Sequence, residues 1–160
     1  MAEQKTNVMR LLDQKRIPYS AHSYPHGDEA VDGLTVAAVT GQDPARVFKT
    51  LVARGASKKI YVFAFPVTAE LELKKAAKAA GEKSIAMVKV SELLELTGYV
   101  RGGCSPIGMK KQYPTFFHSS IESLETVLVS AGKIGWQIEL APAELMKLTR
   151  GRSADIANEV

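Results

Sequence analysis

A lysine inside an apolar run is the first residue that needs a chemical explanation. Lys49 lies in Val47-Phe-Lys-Thr-Leu-Val-Ala53, where Thr50 is the one other polar side chain. Lysine rarely enters a buried strand without a partner or a task, because an unpaired ammonium is costly to desolvate. Two readings stay open: an edge strand from which Lys49 snorkels to water, or a site that uses its charge. Gly98-Tyr-Val-Arg-Gly-Gly-Cys-Ser-Pro-Ile-Gly108 could aim backbone N–H groups at a carbonyl or anionic oxygen, since glycine lets a backbone approach a ligand closely. It matches neither the Walker nor the GxGxxG spacing, so a tight loop fixed by Pro106 is the alternative. Ser130-Ala-Gly-Lys-Ile-Gly135 is a second glycine loop and places a hydroxyl beside backbone amides.

Other reactive types give less. His22 and His26 are four apart, but Pro25 and the alternating pattern deny them the helix that would make a metal pair, so no metal is expected. Cys104 has no neighbouring signature of a catalytic thiol and reads as a small buried hydrophobe. There is no GxSxG elbow and no recognisable Ser/His/Asp set. A hydrolytic enzyme built on this sequence would therefore show no nucleophile of its own. Lys74, Lys75, Lys78, Lys83, Lys110, Lys111 and Lys133 could form a phosphate-binding surface if the fold gathers some of them, or else a solvated face. Aromatic residues are only 7% and do not interleave with the basic ones, which argues against a stacking platform for single strands.

The elements that must position these residues follow from periodicity. Val8, Leu11 and Leu12 predict a helix from about Thr6 to Arg16, before Pro18, with Thr6 or Asn7 as cap. A strand follows at Tyr19 to Tyr24. Pro25 and Gly27 open a polar loop with Asp28, Glu29 and Asp32, after which Thr35 could cap a short helix through Val39, stopped by Gly41. Val47–Arg54 and Lys58–Phe65 read as a hairpin. Leu73, Ala76, Ala77 and Ala80 make one stripe of a helix from Glu72 to Ala80, with Gly81 as its stop. A short helix at Ser91–Leu96, strands near Thr115–His118, Thr126–Ser130 and Gln137–Leu140, and a last helix at Ala143–Leu148 complete the reading. Six or seven short strands interleaved with helices predict an α/β (α+β) fold with a mixed sheet rather than a doubly wound parallel one.

Composition sets the frame. The 160 residues are 46% hydrophobic and 24% charged, the balance of a globular chain with a core, and are read as one domain spanning 1–160. A single cysteine and an N-terminus without an apolar run predict a cytoplasmic protein. No stretch reaches the 18 apolar residues of a membrane helix. The net charge of +4 and pI near 9.2 favour a polyanionic partner.

Read together, these segments resemble the YbaK/EbsC family of aminoacyl-tRNA deacylases, related to the editing domain of bacterial prolyl-tRNA synthetases. The resemblance covers nearly the whole chain. Its most specific pieces are Val47-Phe-Lys-Thr50, Leu73-Lys-Lys-Ala76, Thr97 to Gly108 and Ser130-Ala-Gly-Lys-Ile-Gly-Trp-Gln-Ile-Glu-Leu140. It implies a mixed β-barrel-like sheet with flanking helices and a site between the lysine strand and the two glycine loops. It also implies roles. Lys49 would orient the terminal adenosine or the substrate carbonyl, and the Gly102 and Gly103 amides would receive oxyanion charge. Tyr24, in His22-Ser-Tyr-Pro-His26, would shape the pocket with Thr50 and Ser130. Gln137 stands where some relatives carry an aspartate, so hydrogen bonding rather than charge is implied there. The implied substrate is cysteine mischarged on tRNA for proline, with Cys-tRNA(Cys) a further one. The implied cleavage is attack by the substrate's own thiol, with no cofactor. Prolyl-tRNA synthetase is the implied partner of a protein expected to be monomeric. The alternatives are a deacylase for another small amino acid such as alanine, and a non-catalytic tRNA- or synthetase-binding module.

Overall fold

The computed structural model describes residues 5–27 and 29–159; Asp28, part of the expected polar loop, lies outside them. Helix α1 (Asn7–Gln14) begins at the Thr6 cap, whose side chain accepts from the Met9 N–H, and stops two residues before Arg16. Strand β1 (Ser20–Ser23) follows. Helix α2 (Gly33–Thr40) is capped by Asp32 rather than Thr35. Thr35 instead supplies the N–H and the hydroxyl that the Asp32 carboxylate accepts, a geometry an Asx side chain makes readily at a helix start. The expected hairpin is β2 (Phe48–Gly55) with β3 (Ile60–Pro66). Then come β4 (Ala69–Leu71), α3 (Leu73–Ala80), β5 (Ile85–Met87) and α4 (Val90–Thr97). Strands β6 (Thr115–His118), β7 (Val127–Ser130) and β8 (Trp136–Leu140) precede α5 (Pro142–Thr149), and β9 (Arg152–Ala154) and β10 (Ala157–Glu159) end the chain.

Ten strands therefore stand among the described residues where six or seven were expected. The four extra ones, β4, β5, β9 and β10, have three residues each, too few to show an alternation. The strands fall into three sheets rather than one closed barrel: β5-β2-β3-β6-β9, β1-β8-β7 and β10-β4. The five-stranded sheet is mixed, with β3, β6 and β9 parallel and the β5–β2–β3 part antiparallel. The three-stranded sheet is antiparallel throughout.

Alternation along β2 and β3 sorts side chains onto two cores. Phe48, Val52, Val62 and Ala64 enter one that also holds α1, Val129 and Ile138. Ala53, Tyr61, Phe63 and Phe65 enter the other, under α3 and the chain end. There Phe63 stacks on Phe116, centroids 5.6 Å apart. A one-residue slip of β2 would exchange the two sets, so register is strongly specified. Glu92 joins α4 to this frame by accepting the Lys89 N–H and pairing with Arg54 of β2 at 2.8 Å.

The C-terminal strands are held partly by a neutral histidine. His118 Nδ1 accepts the Ile156 N–H at 3.2 Å. Burial holds its pKa below the ordinary 6.5, aided by Lys75 and opposed by Asp155 and Glu159. A depressed folded value means this contribution is complete above about pH 6.5 and is lost as pH falls towards the folded pKa. His118→Asn, whose side-chain oxygen can accept the same N–H without titrating, is expected to flatten the fall in melting temperature between pH 7 and pH 5. Thermal denaturation of both proteins across that range checks it, and equally steep curves would refute it.

Candidate active site

A cavity of about 510 Å³ opens beside the N-terminal half of β2. Tyr24, Lys49, Thr50, Gly102, Ser130 and Gln137, expected from sequence at one site, all line it. Three sets of elements bring them together. Strand β2 supplies Lys49 and Thr50, the three-stranded sheet supplies Ser130 and Gln137, and Tyr24 follows β1 with its N–H donated to the Gly135 carbonyl at 2.9 Å. Sequence reasoning missed two further walls: the segment from Ala30 into the first turn of α2 at Val36, and the segment from Met87 to Leu93. Their apolar side chains carry no chemical signature in sequence. Arg101, also lining the cavity, could have been marked by its place beside Gly102.

Besides the charged Asp32, Lys49, Lys89 and Arg101, two polar atoms of the lining residues stand out. Thr50 Oγ1 and Gln137 Oε1 are buried and have no hydrogen-bond partner among the described residues. An unpartnered buried polar atom costs about 1–3 kcal/mol, so two of them on residues that line one cavity call for partners that a bound ligand can supply. Ser130 adds a hydroxyl whose oxygen accepts the Gly132 N–H at 3.1 Å, leaving its own proton to donate.

The glycine loops separate into two roles. Gly102 has φ +86, and a Cβ there would lie 2.6 Å from the Ala30 Cβ and 2.8 Å from the Ala30 Cα. Only glycine fits this left-handed turn pressed against the start of the α2 wall. Among the described residues no acceptor engages its N–H. The Gly103 N–H, in contrast, is spent on the Val100 carbonyl at 3.0 Å. Gly103 does not line the cavity; a Cβ there would meet Ile134 N at 3.0 Å and the Lys133 backbone. The expectation that both amides face a substrate therefore narrows to Gly102, and Gly103 seats one glycine loop on the other.

Lys49 matches the edge-strand reading and lies at the cavity as well. Strand β5 pairs with β2 only from Ala53 to Gly55, so β2 has an open edge at Lys49, and the side chain is exposed. Its ammonium lies over the Phe65 ring, 5.1 Å from the centroid. Lys49 also stands where the cavity meets a smaller recess of about 300 Å³ lined by Leu51, Phe65 and Leu71. A charge held loosely over a ring can turn towards an anionic or carbonyl oxygen bound beside it.

The thiol is not a candidate nucleophile. Cys104 is buried, and burial pushes its pKa up to about 12, which suppresses the thiolate needed for attack. Cys104→Ala is expected to keep catalytic activity within about threefold while lowering the melting temperature, since the change removes a packed sulfur and no reacting group. Steady-state rates and a thermal melt on the same sample check both halves. His22 pairs with Glu139 and His26 with its own loop. Among the described residues no group of three or more His, Cys, Asp or Glu converges on a metal-sized site. No helix there is long and apolar enough to cross a membrane.

Among the described residues, this cavity gathers Thr50 and Gln137 with their unpartnered oxygens, the unbonded Gly102 N–H and the exposed Lys49 ammonium, a set able to meet a polar ligand. A family model described as the aminoacyl-tRNA editing domain matches residues 29–148. The chain is 43% identical over 157 residues to EbsC of Enterococcus faecalis, named as a Cys-tRNA(Pro)/Cys-tRNA(Cys) deacylase, with 98% of this chain and 96% of that protein covered. It is 28% identical over 109 residues to YwhH of Bacillus subtilis, covering 68% of this chain and 69% of that one. A crystal structure described as a trans-editing enzyme for prolyl tRNA synthetase superposes with a TM-score of 0.82 at 22% identity, over 98% of this chain and 99% of that one. The chain belongs to the aminoacyl-tRNA editing domain family.

Proposed function

We propose that the protein is a trans-editing deacylase that removes cysteine mischarged onto tRNA(Pro), with Cys-tRNA(Cys) a further substrate. One observation carries the mechanism: among the described residues the cavity offers acceptors and a donor but no activated side-chain nucleophile, which favours attack by the substrate's own thiol over attack by a group of the protein. The cysteine thiol attacks its own ester carbonyl, a sulfur–carbon bond forms, and the bond to the ribose oxygen breaks. The thiol proton ends on that oxygen, and the four-membered thiolactone released then hydrolyses. Intramolecular attack gains on the order of 7–11 kcal/mol from positioning alone, which makes holding the substrate in shape the main task of the protein.

The assigned roles follow the geometry. The Gly102 N–H receives the developing oxyanion, and Lys49 turns from Phe65 to the carbonyl or to the terminal adenosine. Thr50 Oγ1 and Gln137 Oε1 accept donors from the substrate, and Tyr24 and Ser130 shape the space around it. Gln137 does this without a charge. A thiol requirement also solves a discrimination problem, since a pocket alone separates substrates differing by one small group by only about 1–3 kcal/mol. The whole chain, 1–160, acts as one monomeric editing domain in the cytoplasm. A domain this small makes few phosphate contacts and binds tRNA weakly, so prolyl-tRNA synthetase supplies tRNA selection.

The test is release of labelled amino acid from tRNA charged with cysteine, alanine, serine or proline. Loss of cysteine alone supports the proposal. Loss of alanine or serine instead keeps the deacylase and discards the thiol mechanism. No loss from any leaves a binding module.

A further inference from the structure

The cavity lies between two sheets that share a core. Among the described residues, their one backbone bridge is isolated and parallel, from Val47, just before β2, to Leu128 of β7. Behind that bridge lies a polar cluster to which the roles above assign nothing. Glu139 Oε1 is 2.8 Å from His22 Nε2. Glu139 Oε2 accepts from Thr126 Oγ1 at 2.6 Å and from Arg46 Nη2. Arg46 also donates to Thr126 Oγ1 at 2.5 Å and to the Thr126 carbonyl at 3.4 Å. All of these groups are part-buried.

Each member lies close in sequence to a cavity residue. Arg46 leads into the strand that carries Lys49 and Thr50, His22 precedes Tyr24, Thr126 begins the segment ending in Ser130, and Glu139 follows Gln137. Register makes the relation tighter. His22, Gln137 and Ser130 form one cross-strand row, and Glu139 and Leu128 form the next row on the same face. Glu139 is thus one row beneath the two cavity residues of that sheet, its partner His22 stands in their own row, and Arg46 reaches to it from the segment leading into β2. Charge-assisted bonds of this kind fix direction more sharply than apolar packing, while adding little net stability over well-packed apolar side chains. Such a cluster is suited to setting a distance.

We propose that Glu139 is a positioning residue: its carboxylate gathers Arg46, Thr126 and His22, and thereby sets the spacing between Thr50 and Gln137 across the cavity. The catalytic consequence rests on the deacylase reading; the geometric one does not. Glu139 is held ionised, with its pKa below the ordinary carboxylate range, by the Thr126 hydroxyl first and by His22 and Arg46 after it.

Glu139→Gln in the full chain keeps the volume but turns one acceptor oxygen into an NH2 group that must face a donor. The backbone amide resonances of Thr50, Ser130 and Gln137 are expected to move while those of α3 and β10 stay in place. A misplacement of about 1 Å costs up to roughly 10²-fold, so kcat for Cys-tRNA(Pro) should fall about 10- to 100-fold with KM changed less than about threefold. A variant that merely loosened the fold would shift amides everywhere. If Glu139→Gln does not fold, Thr126→Val and Arg46→Lys each remove part of the cluster, and either must lower kcat without raising KM. Unmoved cavity amides, or wild-type kcat in the folded variants, would overturn the proposal. Should the wild type release no amino acid from any charged tRNA, the deacylase reading fails, and the amide shifts still decide the positioning claim.

Discussion

Lys49→Met is expected to lower kcat/KM for deacylation of Cys-tRNA(Pro) by about 10²-fold, near the lower end of the loss that follows removal of one donor at a developing oxyanion, because this ammonium must turn from Phe65 to act. The melting temperature should barely move. The side chain is exposed, and its one aromatic contact, with Phe65 at 5.1 Å, is of a kind worth about 0.5–1 kcal/mol at exposed sites. In a chain this long 1 kcal/mol shifts the melting temperature by roughly 2–4 °C. Methionine keeps most of the apolar stem over Phe65 and removes only the charge, so a large loss of rate without a loss of fold assigns the effect to the ammonium. Lys49→Arg should restore part of the rate, because a cation remains at the rim, but its planar, wider head cannot take the same place. Rates within threefold of wild type for Lys49→Met would remove the lysine from the mechanism and leave Gly102 as the principal electrostatic group.

The ease with which Lys49 could be singled out marks what the sequence makes legible here. A charge in an apolar strand, two glycine loops and a hydroxyl after a strand are anomalies of residue type, visible without coordinates. The resemblance then gathered them into one site, and the cavity does hold Tyr24, Lys49, Thr50, Gly102, Ser130 and Gln137 together. The helices were legible because their stop signals are local, as at Gly41 and Gly81, both left-handed caps. What stayed hidden depends on partners distant in sequence. Strands β9 and β10 exist because β6 and β4 offer them edges, not because three residues have a preference. The Gly103 amide could be paired to Val100 only once the loop was closed. Glu139 carries no signal in sequence, because the Arg46 side chain that its carboxylate meets is 93 residues away and reaches it only in the folded chain.

Gly102→Ala should be strongly damaging to activity, and for a different reason from Lys49→Met. An alanine at φ +86 carries a steric penalty of about 1–2 kcal/mol, and its methyl would fall 2.6 Å from the Ala30 Cβ and 2.8 Å from the Ala30 Cα. The second contact is with backbone, so no rotamer relieves it. Either the glycine loop or the segment leading into α2 must move, and both line the cavity. If the loop yields, the Gly102 N–H leaves its place, and if the segment yields, the facing wall does; in both cases kcat/KM is expected to fall, by at least about 100-fold where the donor is lost, with a drop of several degrees in melting temperature. Ala30→Gly removes the methyl but not the Ala30 Cα from the collision, so the double variant should recover part of the stability and little of the rate. Measuring both quantities on the two variants separates crowding from loss of the donor. Full recovery of rate in the double variant would mean that space at Ala30, and not the direction of the Gly102 N–H, limits catalysis.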